Sequence, residues 1–217
     1  MNKPNAIATS GAVEKPTGCS DAATPDWRVA LPELVGRRIV LREPRATDAM
    51  ALFSLLSTEE VSRFISPPPP TVEGFERYVS WTQRQRAAGQ YICFAIVPLG
   101  ADAPIGLIHV RALSPAFATA DWGFAIGSEF WGTGIFAEAA ELVLDFTFDV
   151  LATHRLEARA ALCNGRGNGA MKKLGAEREG ILRRAFLRNG DFLDQVLWSI
   201  LRDDWRQNRA VRGPVLH

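Results

Sequence analysis

The stretch that decides the fold is residues 122–137, WGFAIGSEFWGTGIFA. It passes from a β-type run through a glycine-containing turn into residues 132–150, whose apolar positions recur every three or four residues, as in a helix. Free backbone N–H groups and the positive end of the helix dipole make such a junction a natural phosphate site. Gly132 and Gly134 also let the backbone approach an oxygen atom closely. The stretch therefore predicts a site for a phosphate-bearing ligand, with a plain strand-to-helix turn as the alternative.

One side of the predicted helix is acidic. Its acidic residues recur at helical spacing and form a stripe separate from the apolar one: Glu138, Glu141, Asp145 and Asp149. A charge stripe of this kind is typical of a solvated surface. We therefore expect this side of the helix to face water.

The rest of the chain divides into short β-type runs and amphipathic helical runs. Ahead of residue 122 the patterns predict a strand at 38–42, helices at 46–56 and 71–88, and strands at 91–97, 105–113 and 119–126. Beyond the central helix they predict a strand at 156–162, a helix at 169–174, and strands at 181–188 and 192–201. Asn189-Gly190 between the last two strands is a strong hairpin signal. The element order, β-α-α-β-β-β-α-β-α-β-β, indicates a mixed α+β fold with mostly antiparallel pairing.

The composition of the 217 residues bounds the domain count, the partners and the compartment. Hydrophobic residues make up 47% and charged residues 23%, which suits one globular domain, expected at residues 29–217. Residues 1–28, rich in Ala, Thr, Ser, Pro and Gly, are expected to be a disordered tail. A net charge of +1 argues against nucleic acid or a membrane surface as partner. Three widely spaced cysteines, no CxxC motif and no bilayer-length apolar run favour a soluble cytoplasmic protein.

The glycines at 132 and 134 admit a second interpretation, because Gly132-x-Gly134-x-x-Ala137 also fits the dinucleotide-binding fingerprint. That fingerprint belongs to the first βαβ unit of a parallel sheet. Here three closely connected β-type runs precede it and a hairpin follows, so the context argues against NAD. Further along, residues 155–188 carry nine Lys or Arg and three Glu. This excess either attracts a polyanionic small ligand or forms an ordinary solvated face.

Three motifs, in order, recur in one known family. Residues 130–136 read FWGTGIF, and Asn164 is followed at a fixed distance by Lys173-Leu174-Gly175. The C-terminal motif consists of Glu179-Gly180, Arg183, Asn189-Gly190, Asp194, Val196-Leu197-Trp198 and Trp205. With these motifs the chain resembles the GNAT superfamily of N-acetyltransferases, and within it the Rim-type branch that acetylates ribosomal-protein N-termini. The resemblance covers residues 34–205 and implies a twisted, mostly antiparallel sheet of about seven strands flanked by helices.

The resemblance also implies acetyl-CoA as co-substrate. The loop residues expected to hold its pyrophosphate are Trp131, Gly132, Thr133, Gly134, Ile135 and Phe136, and further contacts are expected from Asn164, Asn168 and Met171. Backbone N–H groups of Phe124, Ala125 and Ile126 are implied as donors to the thioester oxygen. Two positions depart from the family pattern. Phe136 stands where Gly or Ala is usual, and Met171 stands where many members place a tyrosine general acid.

The strand pattern singles out Asp121 as the candidate catalytic base. In the strand 119–126, large apolar side chains alternate with Asp121 and small residues, which leaves room for a substrate on that face. The resemblance agrees, since many Rim-type members carry Glu at the matching position. The alternative is a strand-end carboxylate that bonds to its own turn. The histidines show no metal-ligand spacing, so no metal is expected, and His109 fits a core histidine.

These observations predict an acetyl-CoA-dependent N-acetyltransferase whose acceptor is a protein or peptide N-terminal α-amine. At pH 7 an α-amine of pKa ~8 is about one-tenth neutral, whereas a lysine is neutral to about one part in 2,500. A single carboxylate therefore suffices for an α-amine. The alternatives are a small-molecule acceptor (amino acid, polyamine or antibiotic) or a non-catalytic acyl-CoA-binding module. We expect a monomer or homodimer with no nucleic-acid or membrane partner.

Overall fold

A computed structural model describes residues 26–212 of the chain, with side chains as far as residue 210. The strands are β1 (Leu34–Val35), β2 (Ile39–Arg42), β3 (Tyr91–Pro98), β4 (Gly106–Ala112), β5 (Thr119–Ile126), β6 (Arg155–Ala161), β7 (Glu177–Arg188) and β8 (Asp191–Leu201). The helices are α1 (Ala49–Leu56), α2 (Glu59–Ser62), α3 (Val72–Ala87), α4 (Ile135–Asp149), α5 (Gly165–Lys173) and α6 (Arg202–Arg212). A 3₁₀ turn, Ala46–Asp48, leads into α1.

The strands form one sheet in the order β1-β2-β3-β4-β5-β6-β8-β7. Neighbouring strands are antiparallel except β5 and β6, which run parallel because α4 crosses over between them. The predicted α+β fold and its mostly antiparallel sheet are confirmed. Three elements, β1, α2 and α6, are additions to the predicted order. β1 brings the strand count to eight rather than seven, and its two residues are too few to show an alternating pattern.

Two helices begin at positions other than those predicted. The helix expected from residue 132 starts at Ile135, because Gly132 (φ +76°) and Gly134 (φ +82°) adopt left-handed backbone conformations. The helix expected at 169–174 starts four residues earlier, where the Asn164 side chain caps its first turn. Glycines in that first turn concealed it, since glycine is a poor helix former.

The acidic stripe of α4 is only partly the solvated surface expected from the sequence: Asp149 is exposed, whereas Glu138, Glu141 and Asp145 are half-buried. Asp145 accepts a hydrogen bond from the Trp205 indole (2.8 Å) and pairs with Arg209 (2.5 Å). Asp149 pairs with Arg206 (3.0 Å). The three partners belong to α6, so this C-terminal part of the stripe is the surface on which α6 docks, whereas Glu138 bonds to Arg38. The helix escaped prediction because its sequence, RDDWRQNRAVR, is mostly polar and has no apolar period.

The N-terminal boundary of the domain lies earlier than predicted. Trp27 is buried and packs edge-on against Phe117, with ring centroids 5.6 Å apart, so it belongs to the domain. Of the residues expected in the tail, Trp27 thus belongs to the core, whereas its neighbours Asp26 and Arg28 are exposed. Residues 1–25 of that tail lie outside the described residues.

Helices cover both faces of the sheet. On one face, here called the α4 face, Leu144 of α4 packs with Phe94 and Ile108. On the other, the α1–α3 face, Leu52 of α1 and Phe75 of α3 pack with alternate residues of β3. None of the helices within residues 26–212 combines the length and apolarity needed to cross a membrane.

β5 and β6 separate soon after they meet. They pair only at Thr119–Asp121 with Arg155–Glu157. By contrast, β5 stays paired with β4 as far as Ile126, and β6 with β8 as far as Ala161. The two strands therefore enclose an opening in the sheet, here called the β5–β6 gap, with an unpaired strand edge on each side. Unpaired backbone N–H and C=O groups need partners, so this gap is a natural place for an extended ligand.

Candidate active site

The β5 edge of the gap presents alternate peptide groups. Gly127 and Thr119 hydrogen-bond to the residues that flank β4 (both 2.9 Å), so odd-numbered residues of β5 direct their backbone groups toward β4. The even-numbered residues, which direct theirs into the gap, are Trp122, Phe124 and Ile126. Among the three donors implied by the resemblance, Phe124 and Ile126 therefore lie on the gap. Ala125 does not, because its carbonyl lies against Gly106 of β4 and its N–H points the same way.

The loop between β5 and α4 gathers free backbone donors. The N–H groups of Gly132, Thr133 and Gly134 have no acceptor within the described part of the chain. Left-handed glycines alternating with another residue are typical of backbone concavities that bind anions. No atom lies within 4 Å of the Cβ position of Gly132, so this surface is open. The positive end of the α4 dipole adds to its attraction for an anion.

Trp131 connects the glycine loop to the gap. Its indole Nε1 donates to the Ile126 carbonyl (3.0 Å), one of the groups that face the gap. The guanidinium of Arg166 lies 3.7 Å from the centroid of its ring, within cation–π distance. Arg166 belongs to α5, which follows β6, whereas Trp131 follows β5. The contact therefore joins the two sides of the gap.

Asn164 and Asn168 organise the β6 side of the gap. The Asn168 amide donates to the carbonyl of Ala161, the last residue of β6 (2.9 Å), and its oxygen accepts from the Trp198 indole (2.9 Å). Asn164 caps α5 by accepting from the Gly167 N–H (2.9 Å). These bonds hold the start of α5 at the end of β6. A contact of either asparagine with a ligand stays a prediction.

The two departures from the family pattern have different physical outcomes. Phe136 packs its ring on Phe124, with centroids 4.0 Å apart, and so makes an apolar wall where a small residue is usual. Met171 is 2% exposed and belongs to the core. Because a thioether has no proton to donate, Met171 cannot act as a general acid.

Asp121 lies where β5 and β6 part. It is the last residue of β5 that pairs with β6, and it stands beside Glu157. Its carboxylate does not bond to its own turn, which was the alternative interpretation. It instead accepts two hydrogen bonds from the Arg111 guanidinium, at 3.0 and 2.5 Å, across the β4–β5 pair. The hydrogen bond to Asp121 raises the pKa of Arg111, so the guanidinium is charged at physiological pH.

Comparison with known proteins decides the family. Residues 38–177, more than half of the chain, match the family model described as the acetyltransferase (GNAT) domain. The chain belongs to the GNAT family. It is an N-acetyltransferase, and enzymes of this family use acetyl-CoA. The uncharacterized N-acetyltransferase YoaA of Bacillus subtilis is 29% identical to this GNAT chain over 174 residues, which cover 79% of the chain and 97% of YoaA.

Other matches bear on the branch of the GNAT family. Mycobacterium smegmatis RimJ, solved in complex with CoA-disulfide, has the same fold, with a TM-score of 0.69 and 22% identity over 76% of this chain and 83% of RimJ. The ribosomal protein uS5 alanine N-acetyltransferase of Escherichia coli is 29% identical over 87 residues (40% of this chain, 45% of the relative). The spermidine N(1)-acetyltransferase of E. coli is 25% identical over 111 residues (51% and 60%). Ribosomal-protein acetyltransferases are therefore among the relatives, as the resemblance implied.

Both tyrosines of this GNAT domain are engaged under α3. The Tyr78 and Tyr91 hydroxyls hydrogen-bond to each other (3.0 Å), and burial raises the pKa of both phenols. His109 stacks on Tyr91 (centroids 5.1 Å apart) and lies over Gly123, where a side chain would collide with it. Burial lowers the pKa of His109 to about 4, so the ring is neutral at pH 7. The aromatic groups thus form a packed unit beneath the β5 edge.

Two arginines of this GNAT site, Arg38 and Arg111, were not predicted from the sequence, and a third, Arg166, was noted only as one of the nine basic residues of 155–188. Arg111 lies on a strand that was predicted, but its pairing with Asp121 needs the strand register, which the pattern alone does not give. Arg38 and Arg166 reach the glycine loop and Trp131 from distant parts of the chain, so no local spacing signals them. Within residues 26–212, His, Cys, Asp and Glu side chains nowhere gather in a group of three that could hold a metal ion.

Proposed function

We propose that this enzyme transfers the acetyl group of acetyl-CoA to the N-terminal α-amine of a protein or peptide. The observation that supports it most is the juxtaposition of two donor sets on one side of the gap: the gap-facing N–H groups of β5 and the free N–H groups of Gly132–Gly134. Acetyl-CoA combines an extended arm that contains amides with a diphosphate. The arm suits the unpaired strand edge, and the diphosphate suits the glycine loop.

The β5 edge also supplies groups for the chemistry. The amine nitrogen attacks the thioester carbon, a C–N bond forms, and negative charge develops on the carbonyl oxygen before the C–S bond breaks. An N–H group of Phe124 or Ile126 stabilises that oxygen. The leaving thiolate takes its proton from water, since Met171 has none to give and a thiol of pKa about 8.5 leaves without an acid.

Asp121 is the group that accepts the amine proton in this proposal. Its side chain lies on the α1–α3 face, where His109 rather than open space lies over the neighbouring Gly123, contrary to the room expected there from the sequence. The fork of Arg111 holds the carboxylate in one orientation, and proton transfer proceeds directly or through one water. The product is a neutral amide, and the proton then passes to solvent.

The charges around the gap favour an α-amine over a polyamine as acceptor. On the α1–α3 face, Asp121 pairs with Arg111, and Glu157 and Glu179 both pair with Arg155 (3.0 and 2.6 Å). A polyamine carries several ammonium groups and needs several free carboxylates to bind them, whereas Glu157 and Glu179 already share an arginine and Asp121 is left as the single proton acceptor. The uS5 relative, an alanine N-acetyltransferase, agrees with an α-amine acceptor, and the spermidine N(1)-acetyltransferase makes a polyamine the comparison to test.

The test measures thiol release from acetyl-CoA with three kinds of acceptor. These are peptides with a free N-terminus, the same peptides with a blocked N-terminus and an internal lysine, and spermidine. Turnover confined to the free N-terminus supports the proposal. Preferred turnover of spermidine would assign a polyamine acceptor instead. CoA binding without turnover of any amine would indicate a binding module.

We also propose a cytoplasmic location. Among the described residues, Cys93 and Cys163 are both free thiols, the first buried and the second exposed. An exposed free thiol persists in a reducing compartment and is readily oxidised outside it. Fractionation of cells that express the tagged protein tests this location.

A further inference from the structure

The turn between β1 and β2 is hydrogen-bonded to the glycine loop on the side away from its open surface. Arg38 follows that turn, and its Nη1 donates to the Thr133 carbonyl (2.9 Å). Its Nε and its backbone N–H donate to the two carboxylate oxygens of Glu138 in the first turn of α4 (both 2.9 Å). The Arg38 carbonyl accepts from Leu99 (2.8 Å), so its backbone is fixed on both sides. One residue thus ties the first hairpin to the loop and to the helix that follows it.

The fit between the turn and α4 is close. A side chain at Gly36 would collide with the Glu138 carboxylate, so the turn approaches the helix without a side chain between them. Burial acts to raise the pKa of Glu138, but the hydrogen bonds from Arg38 outweigh burial and hold that pKa below its usual value. The carboxylate is therefore charged at neutral pH, and it keeps the Arg38 guanidinium in place.

This contact determines where the Gly134 N–H points. A trans peptide is planar, with its C=O and N–H directed to opposite sides. Because Arg38 binds the Thr133 carbonyl, the N–H of the same peptide, that of Gly134, is turned away from Arg38 and toward the open side of the loop. Without such an anchor, a peptide beside two glycines rotates easily, since glycine accepts both left- and right-handed conformations.

We propose that Arg38 is a positioning residue for the phosphates of acetyl-CoA. It holds the Thr133–Gly134 peptide with its N–H toward the diphosphate and keeps a positive charge directly behind the loop. The Nη2 group lies 3.3 Å from the Cβ position of Gly134, which places that charge at the loop itself. This inference rests on the proposed use of the loop for acetyl-CoA. It adds that binding of the phosphates depends on a residue that lies 95 positions earlier in the sequence than the loop.

The experiment compares Arg38→Met with Arg37→Met, which removes the same charge one residue earlier, where no side-chain partner is described. Kd for CoA is measured by calorimetry, and kcat and KM are measured with acetyl-CoA and with S-acetylpantetheine, which lacks the phosphates. For Arg38→Met we expect KM for acetyl-CoA and Kd for CoA to rise at least about tenfold, as for the loss of a charge-assisted hydrogen bond. We expect kcat, and kcat/KM for S-acetylpantetheine, to stay within about twofold.

Arg37→Met is expected to leave all four constants within about twofold of the wild type. Equal effects of the two variants on acetyl-CoA, or an equal loss with acetyl-CoA and S-acetylpantetheine, would overturn the role of Arg38. If Arg38→Met does not fold, Arg38→Lys tests the proposal instead. Lysine keeps the charge but has one nitrogen for the two acceptors, Thr133 and Glu138, so an unchanged KM for acetyl-CoA in this variant would overturn the proposal. A wild type that binds CoA without acetylating any amine contradicts the proposed function, while the calorimetry still tests Arg38.

Discussion

Replacing Asp121 by asparagine separates a catalytic role from a structural one. Asparagine keeps the shape, and its amide oxygen still accepts one hydrogen bond from Arg111, but the basic carboxylate is lost. A positioned general base contributes about 10²–10⁴-fold to a rate. With a free-N-terminus peptide at pH 7 we therefore expect kcat to fall at least about tenfold, with KM for acetyl-CoA unchanged because Asp121 lies outside the glycine loop.

The stability cost of this substitution is expected to be small. The Arg111 side chain is 53% exposed and that of Asp121 is 15% exposed, so solvent screens the ion pair. After that discount the pair contributes at most about 1 kcal/mol. For a domain of this size such a change lowers Tm by about 2–4 °C, so the variant stays folded at the assay temperature.

The pH dependence gives the decisive readout. An α-amine of pKa ~8 is about one-tenth neutral at pH 7 and about nine-tenths neutral at pH 9, so the variant needs the base less as pH rises. The ratio of wild-type to variant kcat, measured by thiol release from pH 7 to 9, is expected to shrink by up to about ninefold. Glu157→Gln, on the neighbouring strand at the same level, is the matched control and should change kcat by less than about twofold. An Asp121→Asn enzyme with unchanged kcat at pH 7, or with a deficit that is constant across this range, refutes the reasoning.

Gly134→Val places a β-branched side chain at φ +82°, so CoA should no longer stabilise the folded variant. At a hundredfold excess over Kd, CoA should stabilise the wild type by about 2.7 kcal/mol. A Tm shift retained in the variant would place the phosphates elsewhere. The pKa of His109, about 4 in the fold, lies below its unfolded value of ~6.5, so the unfolded chain binds more protons between these values. Stability should therefore fall by up to about 3 kcal/mol on acidification from pH 6.5 to 4, and urea titrations of His109→Phe should show a flatter slope. Trp205→Ala should lower the free energy of unfolding, measured in urea, by about 3–5 kcal/mol. Trp205→Phe loses the bond to Asp145 but keeps an aromatic ring against Phe148, so it should cost less, about 1–2 kcal/mol; small and equal costs would contradict the docking of α6.

The predictable parts of the fold are those whose hydrophobic period spans several residues. The helix α3 has a capping threonine at Thr71 and a glycine just past its end, and its bounds agree with the pattern to within one residue. In strands β3, β4 and β5 the residues either alternate between apolar and small or polar or are continuously apolar. That pattern identifies the segments as strands and, where it alternates, shows which side chains share a face. By contrast, α6 is held by Trp205 and by charges that pair with α4, and a helix stabilised in that way leaves no period in its own sequence.

The candidate site divides in the same way. The left-handed backbone and free N–H groups of the glycine loop were predictable because they depend on glycines within one short segment. The partner of Asp121 was not, because the register that brings Arg111 opposite it depends on the connection between β4 and β5, where Ala116 and Phe117 adopt left-handed conformations. The contact of Arg38 with Thr133 joins residues 95 positions apart, and only the assembled sheet brings them together.

The eight strands are in effect two smaller sheets, β1–β5 and β6–β8, joined by a seam of three residue pairs. A seam this short opens at a lower free energy than the longer pairings on either side of it, so the amide protons of β6 that bond to β5 should exchange by local separation rather than by global unfolding. A ligand that hydrogen-bonds along the gap takes the place of a missing strand and lengthens the seam. Ligand binding would then couple the two sheets mechanically. With the ligand bound, the amide protons of both sheets would exchange, and the sheets would unfold, as one unit; without it, β6–β8 would open first.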